Sequence, residues 1–240
     1  MRRRSLLSGL LAVPLAGRTT HAAEGAAEPV DVLLALAVDV SLSIGEPKFE
    51  LERQGYAAAL TDQRVLRAIR DGPSGRIAVA LYEWAGPAEQ HLTLDWTVIA
   101  GAQDARAFAD RLLAAQRPFY GRTALGSAID FGAGLIARAP YRAERRIIDV
   151  SGDGTGNAGR PATVARDAAV AAGITVNGIV ILTDPAGLPA FLKDHTNPPG
   201  GLAAYYRDTV IGGEGAFVMS AGSFETFGTA LAAKLVREIS

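Results

Sequence analysis

Asp39-Val40-Ser41-Leu42-Ser43 places a carboxyl and two hydroxyls at alternate positions directly after the apolar run Val32–Val38. Such a run reads as a buried strand. An Asp and two hydroxyls at its carboxyl end make a small group of hard oxygen donors, the type that Mg²⁺ and other hard divalent cations take. Ligands of open α/β sheets bind just outside the carboxyl ends of the strands, so donor type and location agree. Two further segments carry oxygen donors in comparable settings. Gly121-Arg122-Thr123-Ala124-Leu125 puts Thr123 at the start of an expected helix. Ile147-Ile148-Asp149-Val150-Ser151-Gly152-Asp153-Gly154 puts Asp153 just after another apolar strand. Asp39, Ser41, Ser43, Thr123 and Asp153 are therefore the candidate donors for one Mg²⁺ or Mn²⁺ ion. The plain alternative for the first segment is that Ser41 or Ser43 caps a helix beginning near Pro47.

The elements that would position these donors follow from periodicity and punctuation. Strands are expected at Asp31–Val40, Arg76–Ala85, His91–Ile99, Arg145–Val150, Thr175–Leu182 and Ala216–Met219. Helical spacing marks Lys48–Ile69, Asp104–Ala115, Thr123–Ala137, Pro161–Ala172, Leu188–Lys193 and Phe224–Ile239, the last with Ser223 as its cap. Gly86-Pro87 separates the second and third strands, which can pair as a hairpin. Asn197-Pro198-Pro199-Gly200-Gly201 reads as a loop. Strands alternating with helices predict a doubly wound α/β fold: a mostly parallel six-stranded sheet, helices on both faces and one antiparallel edge strand.

In that order, Asp39/Ser41/Ser43, Thr123 and Asp153 resemble the metal-ion-dependent adhesion site of von Willebrand factor A domains. The resemblance runs from about Asp31 to Ser240. More narrowly, the chain resembles a group of uncharacterised, exported bacterial members of that superfamily. Arg53-Gln54-Gly55-Tyr56-Ala57-Ala58-Ala59-Leu60, Glu83-Trp84-Ala85-Gly86, Ala204-Tyr205-Tyr206-Arg207-Asp208 and Gly215-Ala216-Phe217-Val218 carry the narrower likeness. One departure is visible: Gly152-Asp153-Gly154 stands where the superfamily usually has Thr-Asp-Gly, which keeps the Asp but alters what hydrogen-bonds around it. The resemblance implies that Ser41, Ser43 and Thr123 touch the ion while Asp39 and Asp153 act mostly through water. It also implies a protein or peptide partner that supplies an Asp or Glu to the ion, and a last helix, Phe224–Ile239, that can shift on capture.

Composition limits the remaining choices. A length of 240 residues suits one domain. Arg2-Arg3-Arg4, the short apolar run Leu6–Ala16 and Thr20-His21-Ala22-Ala23 read as a signal peptide over residues 1–23, followed by a short leader over 24–30 and the von Willebrand-like domain over 31–240. Arg3-Arg4-Ser5-Leu6-Leu7 also resembles a twin-arginine export motif. No other apolar run approaches the roughly 20 residues a membrane span needs. The formal net charge is −1, and residues 1–23 hold four Arg and no acid, so their removal leaves −5. That balance argues against nucleic acid as a partner. With no Cys, disulfides and thiolate metal sites are excluded.

The rival constellation is Gly154-Thr155-Gly156-Asn157-Ala158-Gly159, a G-x-G-x-x-G after a strand and before a helix, with Asp184 beyond the next strand. It would make the chain a nucleotide- or dinucleotide-binding α/β protein. Its place after the fourth strand, and Pro161 in the phosphate-facing turn, count against it. His91 and His195 lie far apart without ligand spacing and read as surface or satisfied histidines; Glu83 and Trp84 read as packing or rim residues near a strand end. There is no Gly-x-Ser-x-Gly elbow and no activated nucleophile, so binding rather than catalysis is the reading. Export is expected to remove the first ~20–25 residues, a usual signal length. Mass spectrometry of the exported protein checks this, and a full-length cytoplasmic product would refute it.

Overall fold

A computed structural model describes residues 27–186 and 188–240 of the chain. In chain order its elements are β1 (Glu28–Pro29), β2 (Val32–Asp39), α1 (Glu46–Leu60), α2 (Gln63–Asp71), β3 (Ile77–Trp84), β4 (Gln90–Ile99), α3 (Ala102–Ala114) and α4 (Leu125–Ala137). They continue as β5 (Tyr141–Arg142), β6 (Arg145–Gly152), α5 (Ala162–Ala171), β7 (Thr175–Ile181), α6 (Ala190–Thr196), α7 (Leu202–Thr209), β8 (Val218–Ala221) and α8 (Phe227–Ile239).

The main sheet has the order β4-β3-β2-β6-β7-β8. Every pairing is parallel except β3 with β4, the hairpin at one edge. This is the expected mostly parallel six-stranded sheet with one antiparallel edge. Strand β2 is apolar from Val32 to Val38 because both of its faces are covered. Val32, Leu34, Leu36 and Val38 face a core shared with α1, α2, α3 and α8; Leu33, Ala35 and Ala37 face a core shared with α4, α5 and α7. Among the described residues no helix is long and apolar enough to cross a membrane.

The structure differs from the expected elements at definable points. The helical region Lys48–Ile69 is two helices: Thr61 turns its hydroxyl back onto the Ala57 carbonyl, and the Asp62 carboxylate accepts from Arg64 N–H to cap α2. Helix α7 lies in the sequence after the Asn197–Gly201 loop, to which the periodicity assigns no element. Strand β8 sits two residues later than expected, and α8 begins at Phe227 with Thr226, not Ser223, at its N-cap position. Thr123 precedes α4 by two residues instead of opening it. The expected signal peptide and most of the leader lie outside the described residues, but Glu28–Pro29 at the leader's end pairs with β5.

Two motifs of the narrower likeness have structural work. Arg53 on α1 is buried and donates from its guanidinium to Glu83 on β3 and to the carbonyls of Leu112, Ala115 and Gln116 at the end of α3. Thr93 supplies the second oxygen of Glu83 with a hydrogen bond. Gly55 lets α1 approach α8 closely, since a Cβ there would stand 2.5 Å from the Phe227 ring and 3.1 Å from the Gly228 nitrogen. On its other side α8 buries Lys234, which bonds Glu238 one turn on and lies 2.5 Å from Asp149 of β6. Asn177 of β7 donates to the same Glu238. Breaking one partner of a buried pair leaves an uncompensated charge. Glu83→Ala should therefore cost about 3–5 kcal/mol of unfolding free energy, measured by urea denaturation, and a loss below 1 kcal/mol would show that Arg53 finds other support.

Candidate metal site

Strands β2 and β6 are neighbours, yet the chain leaves β2 toward β3 on one side and β6 toward β7 on the other. The crevice at such a switch point is where doubly wound sheets bind ligands. Asp39 ends β2, Asp153 follows β6 by one residue, and the loop before α4 brings Thr123 alongside. The three segments are bonded to one another in pairs. Leu42 N–H donates to the Gly121 carbonyl at 2.9 Å, Asn157 N–H to the Thr123 carbonyl at 2.9 Å, and the Ser43 hydroxyl to Asp153 Oδ1 at 2.5 Å. All five predicted donors thus stand on one hydrogen-bonded frame.

Asp39 accepts from the Ser41 N–H at 2.8 Å through Oδ1, while its Oδ2 is buried with no partner. Ser41 Oγ lies 3.2 Å from Ser43 Oγ, so the hydroxyls and Asp153 form a chain of oxygens. Ser41, Thr123, Asp39 and Asp153 are buried; Ser43 is half-buried, and Leu42 between the two serines is 71% exposed. The capping alternative does not describe this structure: Gly45 is the N-cap of α1, and neither the Ser41 nor the Ser43 hydroxyl caps it. Arg117 holds the turn by donating to the carbonyls of Val40, Ser41 and Ile44.

Burial, reinforced by the neighbouring Asp153 carboxylate, pushes Asp39 up to about 7 despite its bonds from Ser41. Below the site, burial also raises Glu52 well above the carboxylate range, with Asp39, Asp153 and Glu83 adding to the effect; its Oε1 accepts from the Ser151 hydroxyl at 2.7 Å. Three acidic groups therefore crowd one poorly solvated region. Lys48 on α1 brings a positive charge to the edge of this group: its ammonium donates to Asp153 Oδ2 at 3.0 Å and to the Ser43 carbonyl at 3.2 Å. Among the described residues no group of three or more His, Cys, Asp or Glu side chains has metal-holding geometry. The donors gathered here are largely hydroxyls, and they suit a hard ion.

Three side chains that the sequence reading does not assign to the site surround it. Lys48 is one. Tyr206 of α7 is fully buried, and its unpartnered hydroxyl occupies the space that a side chain at Gly152 would need; the Asp39 Oδ2 atom lies 3.0 Å from that same Cβ position. The glycine in Gly152-Asp153-Gly154 thus admits the phenol. His195 of α6 packs against Gly154, with Nε2 at 3.4 Å from Thr123 Oγ1 and Nδ1 at 3.3 Å from Thr155 Oγ1. Burial holds its pKa below the usual imidazole value, against the pull of Asp153. Glu83 lies in the ion pair with Arg53, Trp84 is buried in the core, and His91 is exposed on β4. Of these, the regular i, i+4, i+8 burial of Leu202, Tyr206 and Val210 could have flagged α7.

The loop Gly154–Gly159 has spent the donors a pyrophosphate would need. The N–H groups of Thr155, Gly156, Asn157 and Ala158 go to the His195 carbonyl, the Tyr205 hydroxyl and, twice, the Thr123 carbonyl. Asp184 turns back onto the Ala186 N–H in an exposed turn. The loop works as a clamp between β6, α4 and α6.

Several solved structures share this fold. Proximal thread matrix protein 1 from the mussel byssus superposes with a TM-score of 0.58 at 14% identity, over 88% of this chain and 47% of that one. A second structure of it, described as having a zinc-occupied MIDAS motif, has a TM-score of 0.57 at 14% identity, over 88% and 48%. The von Willebrand factor type A structure from Catenulispora acidiphila gives 0.54 at 14% identity, over 88% and 43%. The pilus adhesin SpaC from Lactobacillus rhamnosus GG gives 0.57 at 13%, over 88% and 31%. This chain spans less than half the length of each of them, and likeness at such identity is one of fold. No curated protein matches the sequence. A family model described as a protein of unknown function (DUF1194) matches residues 29–240. The chain therefore belongs to the DUF1194 family and has the fold of a von Willebrand factor A domain.

Proposed function

We propose that this chain is an exported von Willebrand-like domain, spanning residues 31–240, that holds one Mg²⁺ or Mn²⁺ ion and through it captures a carboxylate-bearing protein or peptide. Asp39, Ser41, Ser43, Thr123 and Asp153 would hold the ion. The observation that carries the reading is the buried, unpartnered Oδ2 of Asp39 beside a hydroxyl–carboxylate chain at the switch point of the sheet. Crowded, poorly solvated carboxylates call for a cation. A hard ion supplies a positive centre with exchangeable water, at which an acidic side chain of a partner can bind. Leu42, exposed between two of the donors, gives that partner an apolar contact. The mussel protein with a zinc-occupied MIDAS motif supports divalent metal binding on this fold, and the pilus adhesin supports a role in attachment. The Thr123 hydroxyl beside His195 Nε2 is assigned here to the ion, and we read the site as one of binding rather than catalysis.

Metal-stripped protein titrated calorimetrically with MnCl₂ should take up one ion, and Asp39→Ala should abolish the heat while remaining folded by circular dichroism. Heat that is equal in Asp39→Ala would move the ion elsewhere. A partner captured in Mn²⁺ should be released by EDTA and should bind less when one of its own Asp or Glu residues is changed to Asn or Gln. A partner retained in EDTA would show that another surface is in use.

The raised Asp39 carboxyl has a consequence for the ion-free fold. A carboxyl whose folded pKa lies above its unfolded value of 3.8 weakens folding as pH rises from that value to about 7, with the full cost above 7. Asp39→Asn keeps the acceptor for Ser41 and removes the charge. It should raise ion-free stability at pH 8 by roughly 1–3 kcal/mol and by much less at pH 4. Denaturation at the two pH values in EDTA checks this, and an equal effect at both would show that the charge is not the cause.

A further inference from the structure

Lys48 is the third residue of α1, and its position is not one that the helix itself favours. A cation in the first turn is opposed by the helix dipole. What holds the ammonium there is Asp153 Oδ2 at 3.0 Å and the Ser43 carbonyl at 3.2 Å, with the Phe224 ring 4.9 Å away. The other Asp153 oxygen takes the Ser43 hydroxyl, so the carboxylate is fully engaged by protein groups. Asp153 is completely buried, whereas the lysine side chain is 31% exposed and has a path to solvent.

Formal charge shows what this contact does. Asp39 and Asp153 supply two negative charges when ionised, which balance a divalent ion. With Lys48 in contact, the same donors present a net charge of one, and an ion added without moving the lysine leaves an excess positive charge in a buried place. We propose that Lys48 is a resident counter-cation that competes with the divalent ion for Asp153 and thereby holds down the affinity for the free ion. The inference rests on the metal-binding reading above. The ion displaces the ammonium from Asp153, and the lysine, long and partly exposed, swings toward solvent while its stem stays against Phe224. The ion-free domain is thereby spared part of the repulsion between its own carboxylates.

The test compares wild-type protein with Lys48→Met, Lys48→Gln and Lys48→Arg by Mn²⁺ calorimetry and thermal denaturation. Removing a like charge beside the ion should tighten Mn²⁺ binding by roughly tenfold or more in Lys48→Met and Lys48→Gln, while Lys48→Arg stays near wild type. The neutral variants should also melt lower than wild type in EDTA and recover the difference in saturating Mn²⁺, because only the ion-free state loses a counter-charge. A lysine that merely packs would lower both melting temperatures equally and leave the Mn²⁺ affinity unchanged, and that result overturns the proposal. Failure of both neutral variants to fold would assign Lys48 to the fold itself and overturn it as well. If wild type and all variants take up no Mn²⁺, the metal reading has failed and this inference falls with it. If wild type binds and the neutral variants bind equally or more weakly, only the role of Lys48 is wrong.

Discussion

Two carboxylates brought together at the ends of adjacent buried strands are the constraint around which this molecule is arranged. Asp39 and Asp153 are both fully buried, and like charges in a poorly solvated place raise each other's energy. Each nearby element answers that pressure. The Ser41 N–H and the Ser43 hydroxyl satisfy one oxygen of each carboxylate, Lys48 satisfies a third, and Arg117 fixes the carbonyls of the turn between them. The fourth oxygen, Oδ2 of Asp39, is left over. On the function proposed above, that leftover oxygen is where the cation would be held.

The sheet makes this arrangement possible. Parallel strands covered on both faces keep β2 and β6 straight and dry, so their carboxyl ends deliver side chains to one defined crevice. Helix α1 and the loop before α4 then bring Lys48 and Thr123 from either side, and α6 and α7 close the remaining flank with His195 and Tyr206. The segment after Asp153 spends its N–H groups on those neighbours, which is why a glycine-rich loop here braces the crevice and does not cradle phosphate.

Much of this was legible in the residues themselves. The alternation of apolar strands with amphipathic helices encodes the sheet, and the Asp-x-Ser-x-Ser run after Val38 encodes one side of the crevice, because both signals are local. The failures were non-local or a matter of capping chemistry. Thr61-Asp62 carries a stop and a cap, so one expected helix became two. Gly152 could be seen to depart from the superfamily pattern, but its reason lies more than fifty residues away in Tyr206, which only the folded chain places beside Asp39. Lys48 gave no signal, and His195 reads in the sequence only as a surface or satisfied histidine, for the same cause: each is an ordinary residue of its own helix until tertiary structure sets it against Asp153 or Thr123.

The buried Lys234 on α8 bears on how the last helix can move. Its ammonium is enclosed between Asp149 of the sheet and Glu238 of its own helix, and Asn177 completes the group. An axial slide by one turn is about 5.4 Å, far more than an ion pair can stretch, and it would leave Asp149 without its ammonium in a buried place. The helix therefore has a detent in place of a smooth track. Small displacements are resisted, and a larger one must take the lysine and Glu238 out together, parting Gly228 from Gly55 as it goes. A displacement of α8 would therefore lose the Lys234–Asp149 contact at the start of the movement and not by degrees along it.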